Sequence, residues 1–268
     1  MSATPVQEQN LTDAMDPARA AALHAVLGLE GPAPGAGDAL PPFWHQVYFW
    51  QVLPPAALGP DGHPAVGAGL VPDMGLAHRM WAGGALEFHA PLRLGETAQR
   101  HSRLEKAEHK TGRSGRLGFV TLVHQIGQGR RMCVRERQDL VYRGPFAGDR
   151  PAPPEAPADE EHRERQEFDP VLLFRYSALT MNGHRIHYDP DHAMKTEGYG
   201  GLVVHGPLLA QLLMAMAERR GGPLAAFEFR ATAPLLLGEP AEVCLKGQEM
   251  WVRGPGRRLC MRARAQWR

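Results

Sequence analysis

The most regular apolar spacing in the chain lies in "HGPLLAQLLMAMAERRG". Leu208, Leu209, Leu212, Leu213, Met216 and Ala217 recur there at the period of a helix with one wide buried face. A shorter run, "LTDAMDPARAAALHAVLGL", has the same period and predicts a first helix capped by Thr12 or Asp13. After the loop at 30–42, the aromatic stretch "FWHQVYFWQVL" (43–53) predicts a strand, and a turn-rich region follows with a short helix near 73–82. From 85 to 143 the pattern is strand after strand, broken by turns such as "KTGRSGR" and "IGQGRR". Three more strands, "AAFEFRATAPLLL", "PAEVCLKGQEMWVRG" and "RRLCMRARAQW", close the sequence after the long helix.

An internal repeat organises these elements. "LEFHAPLRLGETA" from residue 86 resembles "FEFRATAPLLLGEPA" from residue 227: Glu87-Phe88 matches Glu228-Phe229, and Leu94-Gly95-Glu96 matches Leu237-Gly238-Glu239. Between the copies, "GPFAGDRPAPPEAPADEEHRERQ" is proline-rich, then charged, and reads as a linker. The expected organisation is therefore a unit at 1–143, a linker at 144–166 and a second unit at 167–268. The expected fold class is α+β, each unit a curved antiparallel sheet wrapped around a long central helix.

Composition narrows the function by exclusion. With 30 basic and 29 acidic side chains the net charge is +1, so no long-range field favours nucleic acid or an anionic membrane. No apolar run reaches the length of a membrane span, and the polar start does not read as a signal peptide; a cytoplasmic protein is expected. Cys133, Cys244 and Cys260 are widely spaced, form no CxxC, and read as reduced core thiols.

The candidate chemistry lies in "RYSALTMNGHRIHYDPDHAMKTEGYGGLVVHGPLLAQLL" (175–213), where polar groups are dense just ahead of the long apolar helix. A metal site on His184, His187 and His192 is disfavoured because Pro190 delays any helix until after the first two. Ser177 and Thr180 lack the turn that exposes a nucleophilic serine. A plain polar loop capped by Asp189 or Asp191 is the bland alternative. "VHGP" argues for more. Gly206 permits close approach to the backbone, Pro207 suits a first helical turn, and the unpaired N–H groups there carry partial positive charge. Such donors stabilise an enolate at a thioester carbonyl, and a nearby neutral His exchanges a proton with water. Together these describe hydration of an α,β-unsaturated acyl thioester, or the reverse.

The same residues resemble the hydratase motif of the MaoC-like R-specific enoyl-CoA hydratases, a branch of the hot-dog superfamily, in which an Asp and a His on a loop precede VHG and an apolar helix. The resemblance implies a double hot-dog chain whose N-terminal unit has lost the motif. It places His187 at the catalytic His, Gly206 at the oxyanion glycine, Thr180 at a Ser position and Asn182 where the family has Asp; His205 and Asp189-Pro190 also match. An amide accepts no proton, so His187 would have to serve as both base and acid while Asn182 holds the water. The order Asn, His, Arg further resembles the double hot-dog branch acting on C5 dicarboxylic mono-CoA esters. Mesaconyl-C4-CoA (3-methylfumaryl-CoA) and itaconyl-CoA are examples, hydrated to citramalyl-CoA. A free substrate carboxylate needs a cation, and Arg185 or His184 is the expected provider. Tyr176 and His205 complete the expected substrate-binding set. Basic residues at 101–116 and in "RGPGRRLCMRARAQWR" are secondary candidates for CoA phosphates. The acyl-CoA is then substrate, no cofactor or metal is required, and monomer and homodimer are both compatible with the reading. The rivals are a 3-hydroxyacyl-thioester dehydratase, a hot-dog thioesterase and a non-catalytic acyl-CoA binding module.

Overall fold

The computed structural model describes residues 8–67, 69–112, 115–144 and 152–268. Ten strands form one antiparallel sheet: β1 (Glu8–Asp13), β2 (His78–Phe88), β3 (Ala98–Gly112), β4 (Gly115–Gln128), β5 (Arg131–Arg143), β6 (His162–Gln166), β7 (Leu224–Ala231), β8 (Ala241–Lys246), β9 (Glu249–Arg253) and β10 (Leu259–Trp267). Their order is β1-β3-β4-β5-β2-β7-β10-β9-β8-β6. The second half of that order repeats the first in reverse, β6 standing for β1 and β7 for β2. The two halves meet where β2 pairs with β7, and Leu86 there faces Phe227, its own partner in the sequence repeat. The repeat thus marks a local two-fold relation within one chain. Gly95 and Gly238, matched in the repeat, both turn with positive φ, near 80° and 82°.

Among the described residues three α-helices accompany the sheet: α1 (Pro17–Val26), α2 (Pro170–Thr180) and α3 (Gly206–Gly221). Each begins with a proline in its first turn, which loses no helical hydrogen bond there. Helix α3 is the expected long central helix. Leu208, Leu209, Leu213, Met214, Met216 and Ala217 are all buried, and it packs on the strands of the second half. The first half carries no helix longer than the 10 residues of α1 among the described residues. The aromatic stretch expected as a strand is instead a 3-10 turn, Trp44–Val47, flanked by Phe43 and Phe49 in left-handed conformation. Phe43, Trp44, Val47, Tyr48 and Phe49 are buried with α1 and α3 in one core.

Other expectations also shift. The first helix starts at Pro17 with Asp16 as its cap, because Glu8–Asp13 pairs with β3 instead. The helix expected near 73–82 gives way to β2, whose backbone is taken up by β5. The middle closing strand splits into β8 and β9 at a tight turn with Gly247 at φ 53°. The stretch read as linker ends in structure: Ala156 is buried and β6 pairs with β8, while residues 145–151 lie outside the described residues. The three cysteines are free and buried. Among the described residues no helix is long and apolar enough to cross a membrane.

Candidate active site

The motif loop leaves α2 through Met181, in left-handed conformation, and runs to a 3-10 turn at Arg185–His187. It is pinned from outside by the loop around Asp61. Arg185 N donates to Asp61 O at 2.9 Å, and Gly62 and Gly183 cross so closely that a Cβ on Gly62 would lie 2.0 Å from Gly183 O. Only two glycines can pass at that distance.

His187 is buried, and its Nδ1 lies 2.7 Å from Val203 O. A carbonyl can only accept, so Nδ1 carries the proton and Nε2 keeps its lone pair. The ring stacks on His205 with centroids 3.6 Å apart and meets His184 edge-on at 5.7 Å. Burial, then the neighbouring His184, pushes the His187 pKa down to about 3, with the Val203 carbonyl opposing. The imidazole is therefore neutral near pH 7 and can accept a proton.

Asn182, His184, His187 and Gly206 line one cavity of about 720 Å³. Gly206 is the first residue of α3, so its N–H has no acceptor within the helix, and Pro207 offers no N–H at all. Asn182 Oδ1 accepts from His184 N at 3.0 Å, which leaves its NH₂ as a donor. An Asp could accept the same loop bond.

The remaining expected residues are placed elsewhere. Arg185 gives Nε and Nη2 to Asp189 Oδ2 and Nη1 to Pro60 O; it ties the loop and does not line the cavity. The expected role of Arg185 as a carboxylate receptor gains no support from this placement. Thr180 Oγ1 donates back to Tyr176 O, the usual satisfaction of a helical threonine hydroxyl. Tyr176 is fully buried with its hydroxyl on Gln211, and His205 is fully buried with Nε2 against Ser177 Oγ at 2.8 Å. Neither lines the cavity: His205 stacks on the His187 ring, and Tyr176 packs edge-on against His205.

His63 and Gln138 carry no signal in the sequence, and Arg79 and Trp81 lie in "VPDMGLAHRMWAGG", a stretch without a matching His that the sequence suggests only as part of the acyl pocket. Arg79 and Trp81 of β2, Gln138 of β5 and His63 of the pinning loop all line the cavity from the first half of the chain. His63 packs against His184 with centroids 4.6 Å apart. Behind them Glu197 is buried, accepts from His78 Nδ1 at 2.7 Å, and lies 4.0 Å from His184 and 3.9 Å from His192. Burial alone would raise the Glu197 pKa, but His184 and His78 outweigh it and hold the carboxyl below its usual range. These groups come together only through pairing of distant segments, which no local pattern encodes. Asp61, His63 and His184 also bring ligand-type atoms within 4.8 Å of one another. Asp61 there already accepts from His63 N and faces the Arg79 guanidinium, a charge unfavourable to a cation.

Sheet, helix and cavity together define a double hot-dog protein of the hydratase and dehydratase class. Residues 43–237 match the model of the hydroxyacyl-thioester dehydratase type 2 family, and the chain belongs to that family. It is a hydro-lyase acting on an acyl thioester. It is 47% identical over 221 residues to the mesaconyl-C4-CoA hydratase of Chloroflexus aurantiacus, covering 81% of this chain and 79% of that protein. The mitochondrial hydroxyacyl-thioester dehydratase type 2 of Schizosaccharomyces pombe is 24% identical over 241 residues, 80% of each chain. Among solved structures, HtdX of Mycobacterium tuberculosis superposes with TM-score 0.69 at 20% identity, covering 98% of this chain and all of that one. A second Mycobacterium tuberculosis protein, described as a double hot-dog fold, superposes with TM-score 0.59 at 14% identity over 97% of this chain and 95% of that one.

Proposed function

We propose that this enzyme hydrates an unsaturated acyl-CoA bearing a second carboxylate, a C5 monothioester such as the α,β-unsaturated mesaconyl-C4-CoA or its β,γ-unsaturated isomer itaconyl-CoA, to give citramalyl-CoA. The observation that carries the chemistry is the fixed tautomer of His187, with Nδ1–H held by Val203 O and Nε2 left as a base. The substrate class follows from the 47% identity to the Chloroflexus enzyme.

In this reading the thioester oxygen lies at the start of α3, where Gly206 N–H and the positive end of the helix take up the developing negative charge. His187 Nε2 removes a proton from a water held by the Asn182 NH₂. With mesaconyl-C4-CoA, hydroxide adds at Cβ, and the imidazolium returns the proton to Cα. A single residue thus acts first as base, then as acid, which suits a site where Asn182 cannot take a proton. The reaction transfers no electrons and needs neither a redox cofactor nor a metal. The reading includes two structural units, a cytosolic setting, and a chain that acts alone or as a homodimer.

A second reading, dehydration of a 3-hydroxyacyl thioester in fatty acid metabolism, is favoured by the similarity to the yeast mitochondrial enzymes. Incubation with mesaconyl-C4-CoA, itaconyl-CoA and crotonyl-CoA separates the two. The proposed enzyme converts the dicarboxylic thioesters fastest to citramalyl-CoA, with loss of enoyl-thioester absorbance in the case of mesaconyl-C4-CoA and no release of free thiol. Hydration of crotonyl-CoA alone would overturn the dicarboxylate assignment. His187→Gln is expected to lose about 10³-fold in kcat while keeping its fold, in line with removal of one acid–base group.

A further inference from the structure

Hydration of mesaconyl-C4-CoA places a free carboxylate directly on the carbon that receives hydroxide. That anion must lie close to His187 and needs a cation there. Arg185, on the motif loop, is committed to Asp189 and Pro60. Three other arginines line the cavity: Arg79, Arg143 and Arg258. Arg258 is ion-paired with Glu239, and Arg143 donates to Gly144 O and lies 3.9 Å from the buried Glu197.

Arg79 differs from both. Its side chain is 11% exposed, its one ion pair among the described residues is a long contact of 3.4 Å from Nη2 to Asp61 Oδ2, and a further polar neighbour is the uncharged Tyr142 beside it on β5. Its Nε is buried without a hydrogen-bond partner among the described residues. A buried guanidinium with so loose a partner is costly unless a further anion completes it. Because Arg79 lines the cavity, its guanidinium offers a cation and N–H donors to a carboxylate bound there.

Arg79 shares the cavity wall with Asn182, His184 and His187. Imidazole contacts run from His187 to His184 at 5.7 Å and from His184 to His63 at 4.6 Å. The Arg79 charge is felt at His63, whose pKa is lowered by burial first and by Arg79 next. Arg79 also stands where the main cavity adjoins a second one of about 370 Å³, since His63, Arg79 and Gln138 line both.

We propose that Arg79, supplied by the half of the chain that lacks the motif, binds the free carboxylate of the substrate and sets the preference for a dicarboxylic monothioester. The inference rests on the hydratase reading above. The test measures kcat/KM of the full-length wild type, Arg79→Gln and Arg79→Lys on mesaconyl-C4-CoA and crotonyl-CoA. Arg79→Gln is expected to lose about a hundredfold on mesaconyl-C4-CoA, chiefly through KM, and about threefold or less on crotonyl-CoA. Arg79→Lys should recover part of the loss. If crotonyl-CoA turns over too slowly to follow, calorimetric Kd values for citramalyl-CoA and 3-hydroxybutyryl-CoA give the same contrast. If Arg79→Gln does not accumulate as folded protein, Arg79→Met fills a similar volume without charge. Equal losses on both substrates, or an unchanged preference, would overturn the role of Arg79 while leaving the hydratase reading intact. A wild type that hydrates neither substrate would overturn the functional reading itself.

Discussion

His187 is buried among other imidazole rings, and this sets both its chemistry and its cost. Burial and the adjacent His184 hold its pKa near 3, against an ordinary value of 6.5. As a base it needs no prior deprotonation, but its protonated form is disfavoured until negative charge arrives on the thioester oxygen a short distance away. Two pH effects follow. For the free enzyme, kcat/KM should show no acid limb near 6.5 from this residue and should stay level from about pH 7.5 to pH 6. A limb centred on the ordinary imidazole value would show that His187 is solvated. Stability moves with a definite sign. Below 6.5 the unfolded chain binds a proton on His187 that the folded chain refuses, so this stability is complete above 6.5 and declines as pH falls toward 3. His63 and His205 are lowered in the same direction by burial, and add to the slope. Urea denaturation should therefore give a lower midpoint at pH 5 than at pH 7, with each such group contributing about 1 kcal/mol per pH unit. Equal midpoints would mean that these rings are not buried in neutral form.

The motif loop is held by an element with no place in the motif. The turn at Pro60–His63 lies across it, joined by Arg185 N to Asp61 O and by Arg185 Nη1 to Pro60 O, with the two glycine backbones in contact beneath. Gly62 has φ 86° and no room for a Cβ, so Gly62→Ala meets both backbone strain and collision with Gly183 O. The variant should unfold about 2 kcal/mol more easily and lose more in kcat than in KM, because the loop bearing Asn182 and His187 shifts; a thermal melt and steady-state kinetics read the two effects. Retention of full kcat would show that the clamp does not position the loop. The loop's chemistry was legible because its residues adjoin in sequence: a dense polar run, then a glycine–proline helix start. The clamp was not, since "GPDGHP" is locally only a turn. The aromatic run at 43–53 misleads for a related reason. Aromatic residues favour strands because they fit half-buried pleated surfaces, and here Phe43 and Phe49 instead plug the core from a turn. β1 gave no signal because a short edge strand with Leu11 as its one apolar residue has almost no alternation to read.

At the scale of the whole chain, the two halves divide the work. The second half brings the motif loop and α3; the first brings the clamp, Arg79, Trp81 and the aromatic plug, and closes the cavity. The short repeat at Glu87-Phe88 and Glu228-Phe229 made the two units visible in sequence, but not that the strands bearing it join the halves. It could not show which half had given up its long helix, since that depends on what fills the core. The join depends on close approach. Gly83 pairs with Arg230 beside the irregularity in β2, and a Cβ there would lie 2.6 Å from Phe229 O and 3.3 Å from Arg230 Cα. Neither atom can withdraw without moving β7. Gly83→Ala should thus cost about 1–3 kcal/mol, the range for forcing volume into a packed interior, although alanine is otherwise the better strand residue. Gly201→Ala is the matched control: its Cβ would meet nothing within 4 Å, and the change should stay within about 0.5 kcal/mol. Chemical denaturation of the two variants beside the wild type measures the difference. Equal stabilities would show that β2 and β7 have slack at their contact, and that the halves are held by the surrounding core rather than by this pair of strands.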